Sequence, residues 1–185
     1  MYRITKRERI THGEILKVKF PLSPKPGQFM TVLLDGKEIP VGVYDYDEGE
    51  LSIFMEKGNV MYNWLYLKGP LGSPLSFKGY TSVIGVSRGT LEHDLHYPLK
   101  VASKMGLESS LVHKIPEHVD DDTMILFSLP KEELTMIPPN VLRKSFVYIR
   151  WVKMNCAVGV CGVCNYRGSL PCVDGPFLKG EKLVA

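Results

Sequence analysis

Short apolar runs broken by turn clusters dominate the first 78 positions. Ile15-Leu16-Lys17-Val18-Lys19-Phe20 and Phe29-Met30-Thr31-Val32-Leu33-Leu34 are rich in β-branched and aromatic residues and read as strands. Pro24-Lys25-Pro26-Gly27-Gln28 between them is a turn cluster. Val41-Gly42-Val43-Tyr44-Asp45-Tyr46 and Leu51-Ser52-Ile53-Phe54-Met55 flank the hairpin loop Asp47-Glu48-Gly49-Glu50. Tyr62, Trp64 and Tyr66 recur with period two, which places them on one face of a further strand. This spacing of short strands predicts a small antiparallel β-barrel over 1–78, closed off by the breaker run Gly69-Pro70-Leu71-Gly72-Ser73-Pro74.

From Gly79 the rhythm changes. Tyr80 to Val86 is an apolar strand candidate, as are Ser110 to Lys114, Met124 to Phe127 and Phe146 to Trp151. Pro98 suits the first position of a helix running to about Met105, with Gly106 as its stop. Alternating strand and helix predict a small, mostly parallel α/β domain over 79–152. The remaining stretch, 153–185, is a Cys-rich segment. The fold class is therefore all-β plus α/β.

Composition narrows the function classes. The chain has 185 residues, 44% apolar and 23% charged, close to globular averages. The formal charge of +3 is too small and too scattered to argue for nucleic acid. The longest uncharged run, Met154 to Tyr166, is 13 residues, short of a membrane span. The N-terminus carries charges with no apolar stretch behind them, unlike a signal peptide, and a cytoplasmic location is expected.

All four cysteines, Cys156, Cys161, Cys164 and Cys172, fall within 17 residues. A disulfide framework would spread them to close long loops, so clustering points to a metal centre. The spacing C-x4-C-x2-C followed by a fourth cysteine matches the plant-type pattern for a 2Fe–2S cluster. Structural zinc commonly takes two C-x2-C pairs, and only one is present. Zinc and free thiols remain alternatives on spacing alone. Ala157, Gly159, Val160 and Gly162 are small or apolar and let a tight loop aim backbone N–H groups at sulfur. Between Ser145 and Ala185 five cations face two carboxylates, which would help to hold an anionic cluster.

The run Met154-Asn155-Cys156-Ala157-Val158-Gly159-Val160-Cys161-Gly162-Val163-Cys164, the ending Cys172-Val173-Asp174-Gly175-Pro176-Phe177, and the barrel marks Pro26-Gly27-Gln28-Phe29 and Gly69-Pro70-Leu71-Gly72 carry a resemblance. The chain resembles the electron-transfer subunit of dihydroorotate dehydrogenase, a ferredoxin-reductase-like family. That resemblance implies a 2Fe–2S cluster on the four cysteines. It also implies a heterotetrameric complex with an FMN-containing catalytic subunit of pyrimidine biosynthesis. The chain would then be a non-catalytic redox subunit of an oxidoreductase. A zinc-stabilised interaction module on a worn reductase scaffold, and a subunit of another flavin dehydrogenase, are the alternative readings.

The chain departs from the family pattern at two places. The family's Arg-Pro-x-Ser flavin stretch corresponds to Ile39-Pro40-Val41-Gly42, and its Gly-Thr phosphate segment to Gly58-Asn59-Val60. Pro40, Gly42, Gly58 and Asn59 are the positions at which FAD would be touched. Without the Arg and the hydroxyls, weak or absent FAD is expected. The family's glycine run after the first strand of the second domain is missing from Ile84 to Leu99, although Pro98-Leu99 survives, so NAD binding is not expected. His93 and His96 lack a third ligand and read as surface or loop residues. Trp151, just before the cysteine run, reads as core packing.

Overall fold

The computed structural model describes residues 1–56 and 62–183. Six strands close into an antiparallel barrel in the order β1-β2-β5-β4-β3-β6. They are β1 (Tyr2–Ile10), β2 (Gly13–Lys19), β3 (Phe29–Leu34), β4 (Lys37–Asp47), β5 (Glu50–Glu56) and β6 (Trp64–Leu71). Leu16, Val18, Met30, Val32, Leu51, Ile53 and Leu65 fill the interior, each essentially solvent-free. These residues alternate with outward ones, and closure leaves no sheet edge to aggregate.

Two features of the barrel differ from the pattern-based expectation. Strand β1 has no counterpart in it. Its inward Tyr2 and Ile4 are only half-buried, and a register shift between Ile4 and Lys6 breaks the period. The breaker run at Gly69 also does not end a strand, because β6 continues to Leu71. Gly69-Pro70 sits at a register shift against β3, where Thr31 pairs with Lys68 and Phe29 with Leu71. A bulge is where a strand tolerates a residue without an N–H.

The second sheet has the order β11-β10-β9-β7-β8. Its strands are β7 (Ser82–Ser87), β8 (Glu108–Val112), β9 (Thr123–Ser128), β10 (Ser145–Tyr148) and β11 (Phe177–Lys179). All pairings are parallel except β10 with β11. Parallel strands buried on both faces read as unbroken apolar runs, as in Met124-Ile125-Leu126-Phe127. Between β8 and β9 the chain returns through residues 113–122 without a helix.

Helix α1 (His93–Lys104) joins the two sheets. It starts five residues before the position expected from Pro98, which lies inside it. An internal proline costs a helix about 3 kcal/mol. Burying one leucine returns roughly 1.5–3 kcal/mol, and α1 buries Leu95, Tyr97, Pro98 and Ala102 together. Tertiary packing therefore outweighs the local stop signal. Tyr97 reaches into the barrel core and donates its hydroxyl to the Pro24 carbonyl at 2.6 Å. Leu95 and Ala102 pack on the second sheet.

Candidate metal centre

The cysteine segment is seated on the outer wall of the barrel. Phe29 of β3, fully buried, packs with Met154, Ala157, Cys164 and Cys172, and Leu71 of β6 and Leu170 flank them. Lys68 of β6 donates from Nζ to the Cys156 carbonyl at 2.9 Å. Ser73 donates its N–H to the Gly175 carbonyl and its hydroxyl to the Val173 carbonyl, each at 2.8 Å. Cys172 arrives on the one-turn helix α2 (Pro171–Asp174), and Asp174 accepts the Leu170 N–H at 2.7 Å. Spacing alone gives no sign of Lys68 or Ser73 as anchors, because both are brought in from β6 and the turn after it, far away in the chain.

The four thiols form two pairs. Cys164 and Cys172 are buried, with their sulfurs 3.1 Å apart. Cys156 and the exposed Cys161 form the other pair, and the Cys161 N–H donates to the Cys156 sulfur at 3.4 Å. The N–H groups of Val158, Cys161 and Val160, with the Cys161 thiol, pull the Cys156 thiol down to about 6. Burial, then the Cys164 thiol, pushes Cys172 up to about 11 against the pull of the Gly159 N–H. Backbone amides thus address both pairs. Gly159 makes this possible: its φ is +80°, and a Cβ there would meet Val173 at 2.7 Å. Among the described residues, no three His, Cys, Asp or Glu side chains converge on one point able to hold a single ion.

The rim of this loop is apolar. Val158, Val160 and Val163 are exposed around Cys161, Val160 at 84%. Trp151 is half-buried and packs against the core beneath, edge-on to Tyr166.

Strand β4 places Pro40 and Gly42 elsewhere, and α1 covers Gly42. A Cβ at Gly42 would lie 2.8 Å from the Asp94 carboxylate and 3.5 Å from the Tyr148 hydroxyl. Asp94 is 4% exposed. It accepts from Ser128 at 2.9 Å and faces Arg150 Nε at 3.2 Å. Burial holds its carboxyl above the ordinary range, against the pull of Arg150 and Ser128. The next outward residue, Tyr44, stacks on His96 with ring centroids 4.3 Å apart and planes within 7°. His93 packs on Phe54 at 4.2 Å. Lys100 closes the row with Asp45 at 2.7 Å. A flavin lying on Gly42 would meet a buried carboxylate and displace an aromatic stack, so these residues do not fit FAD. Pro40 instead lines a cleft with Ile39, Lys37, Arg150 and Lys153. Gly58 and Asn59 lie outside the described residues.

His93 and His96 are thus helical rather than in a loop: His96 is exposed, a surface residue as expected, while His93 is half-buried against Phe54. Burial lowers the His93 pKa below the ordinary imidazole value of 6.5. The unfolded chain therefore binds the proton more readily, and stability falls as pH drops through that value towards the folded one. Urea midpoints measured above and below it should show this loss, and His93→Phe should flatten that part of the profile. An unchanged slope in the variant would remove His93 as its source.

At the carboxyl end of β7, the segment expected to have lost its nucleotide site turns directly into a 3-10 turn, Gly89–Glu92. Arg88 there is engaged by Glu133 at 3.1 Å and donates to the Ser87 and His113 carbonyls.

Comparison with known proteins agrees with this architecture. No family model matches the chain. The probable dihydroorotate dehydrogenase B (NAD(+)) electron transfer subunit of Thermococcus kodakarensis is 58% identical over 31 residues, which is 17% of this chain and 13% of that protein. The structure of an NADH-dependent reduced ferredoxin-NADP oxidoreductase, described in work on flavin-based electron bifurcation, superposes with a TM-score of 0.70 at 19% identity. It covers 98% of this chain and 89% of its own. The FAD-apo ferredoxin reductase of carbazole 1,9a-dioxygenase superposes at 0.52 and 13% identity, over 77% and 60% of the two chains. The fold is ferredoxin-reductase-like.

Proposed function

We propose that this chain is the electron-transfer subunit of a dihydroorotate dehydrogenase complex in pyrimidine biosynthesis. Cys156, Cys161, Cys164 and Cys172 hold a 2Fe–2S cluster, and FMN resides on a separate catalytic subunit. Held there, the cluster would supply one-electron transfer between the partner's FMN, reduced by dihydroorotate, and an acceptor other than NAD. No FAD lies on β4 in this reading.

The observation that carries the proposal is the pairing of the sulfurs in one amide-lined loop. A 2Fe–2S centre takes two thiolates on each of two irons, and the Cys164–Cys172 and Cys156–Cys161 pairs suit that geometry. A single tetrahedral zinc would draw all four sulfurs to one point. Amides aimed at Cys156 and Cys172 stabilise thiolate charge and set the potential of a cluster. The short match to the Thermococcus kodakarensis subunit supports the choice of complex.

Metal, sulfide and flavin counted on the anaerobically purified complex test this directly. About two irons and two acid-labile sulfides per chain are expected, with FMN on the partner and no FAD. One zinc without sulfide would replace the electron carrier with a structural module. Stoichiometric FAD on this chain would overturn the reading of β4.

A further inference from the structure

The outer wall of β3 and β6 is apolar beyond the part that the cysteine segment covers. On β3, Phe29, Thr31 and Leu33 face outward in succession. Phe29 is fully buried and Thr31 nearly so, while Leu33 is 43% exposed. On β6 the outward row is Trp64, Tyr66 and Lys68. Lys68 is tied to the Cys156 carbonyl, whereas Trp64 is 46% and Tyr66 55% exposed. The register aligns Tyr66 with Leu33, and Trp64 with Arg3 of β1. Tyr62, at 59% exposure, extends the row before β6 begins.

A barrel wall that faces water normally carries polar side chains, and clustered exposed aromatics mark an interaction site. Here half of one apolar wall is already an interface, made within the chain. The other half has the same chemistry and, among the described residues, no cover. The charges around it are of one dominant sign. Arg3, Lys37 and Lys153 are exposed and have no ion-pair partner among the described residues, against one free carboxylate at the hairpin tip, Asp35. Glu38 is neutralised by Lys68 at 2.5 Å. Leu33, Lys37 and Lys153 line one cleft that ends beside Asn155, next to the first cysteine.

We infer that Trp64, Tyr66 and Leu33, with Arg3, Lys37 and Lys153 around them, form the docking face for the FMN-bearing catalytic subunit, which presents an apolar recess edged with carboxylates. This rests on the function proposed above and adds to it where the partner sits. A protein seated on this wall abuts the cysteine segment, because Lys68 of the same outward row is tied to Cys156 and the cleft beside Leu33 reaches Asn155. Trp and Tyr are the residue types that most often dominate interface energy, and unpaired cations speed the approach of an acidic partner.

The test uses the full chain and the co-expressed FMN-bearing subunit of the same organism, with the dissociation constant measured by calorimetry. Trp64→Ser with Tyr66→Ser should weaken binding about 30-fold or more, with the melting temperature and visible spectrum unchanged. Arg3→Glu, at an exposed position, should slow association and flatten its salt dependence without altering the fold. Met105→Ser, an exposed apolar residue beyond α1, should bind like the parent. Equal binding by the parent and by both β1/β6 variants would overturn the docking face while leaving the function intact. No binding by the parent chain would overturn both. Parent binding to anionic lipid vesicles that the aromatic variant loses, with subunit binding unchanged, would reassign the face to a membrane surface.

Discussion

Cys161→Ser is expected to bleach the visible absorption of the purified chain and to abolish electron flow from the partner's FMN to the natural acceptor. The partner's own reaction with an artificial acceptor should continue. Changing groups that merely orient ligands lowers metal affinity by about 10- to 100-fold, so losing a ligand sulfur should exceed that range. The fold should survive, because Cys161 is exposed on the loop apex and buries little on its own. The effect therefore separates chemistry from stability. Absorption spectra, iron content and stopped-flow traces on the complex check it. Full electron transfer through this variant would falsify the wiring proposed above.

Phe29→Ala should be the most destabilising single truncation at the site, by about 3–5 kcal/mol. Phe29 is solvent-free but does not point into the barrel. Its ring is enclosed by Met154, Ala157, Cys164 and Cys172 on the outside of β3. A cavity there loosens the seat of the buried sulfur pair. For a chain of this size the melting temperature should fall by roughly 10 °C, and a chelator should strip iron faster than from the parent. Leu33→Ala, two positions further along the same outward row from Thr31, should change stability by less than about 0.5 kcal/mol, since its side chain faces water. Equal melting temperatures for the two variants would mean that the cysteine segment is not held by this wall.

The barrel was legible because closed antiparallel strands alternate inward and outward residues; β2, β3 and β5 keep that period, and β4 breaks it at one register shift between Val43 and Asp45. Strand β1 was not, because its bulge and its half-exposed apolar residues blur the alternation. The cysteine loop was legible because ligand spacing is a local property of the chain. Four thiols and permissive glycines within a short run restrict the metals that the loop can suit, wherever it is placed.

Other features depended on contacts between positions far apart in the chain. The start of α1 was set by packing between two sheets, which overrode the proline signal. His93, Asp94 and His96 looked like a solvated polar run, yet they cover β4. Asp94 meets Arg150 and Ser128 only because two separate strands end beside it. Phe29 reads as one more barrel residue until the register shift at Gly69-Pro70 and the fold of 153–176 place the cysteine segment against it. By itself the sequence determined the chemistry that this chain can carry, because donor type and spacing are local. The tertiary structure alone decided where that chemistry sits, which face of the barrel it leaves open and which cofactor surface it closes, because burial and long-range pairing are set by the whole chain at once.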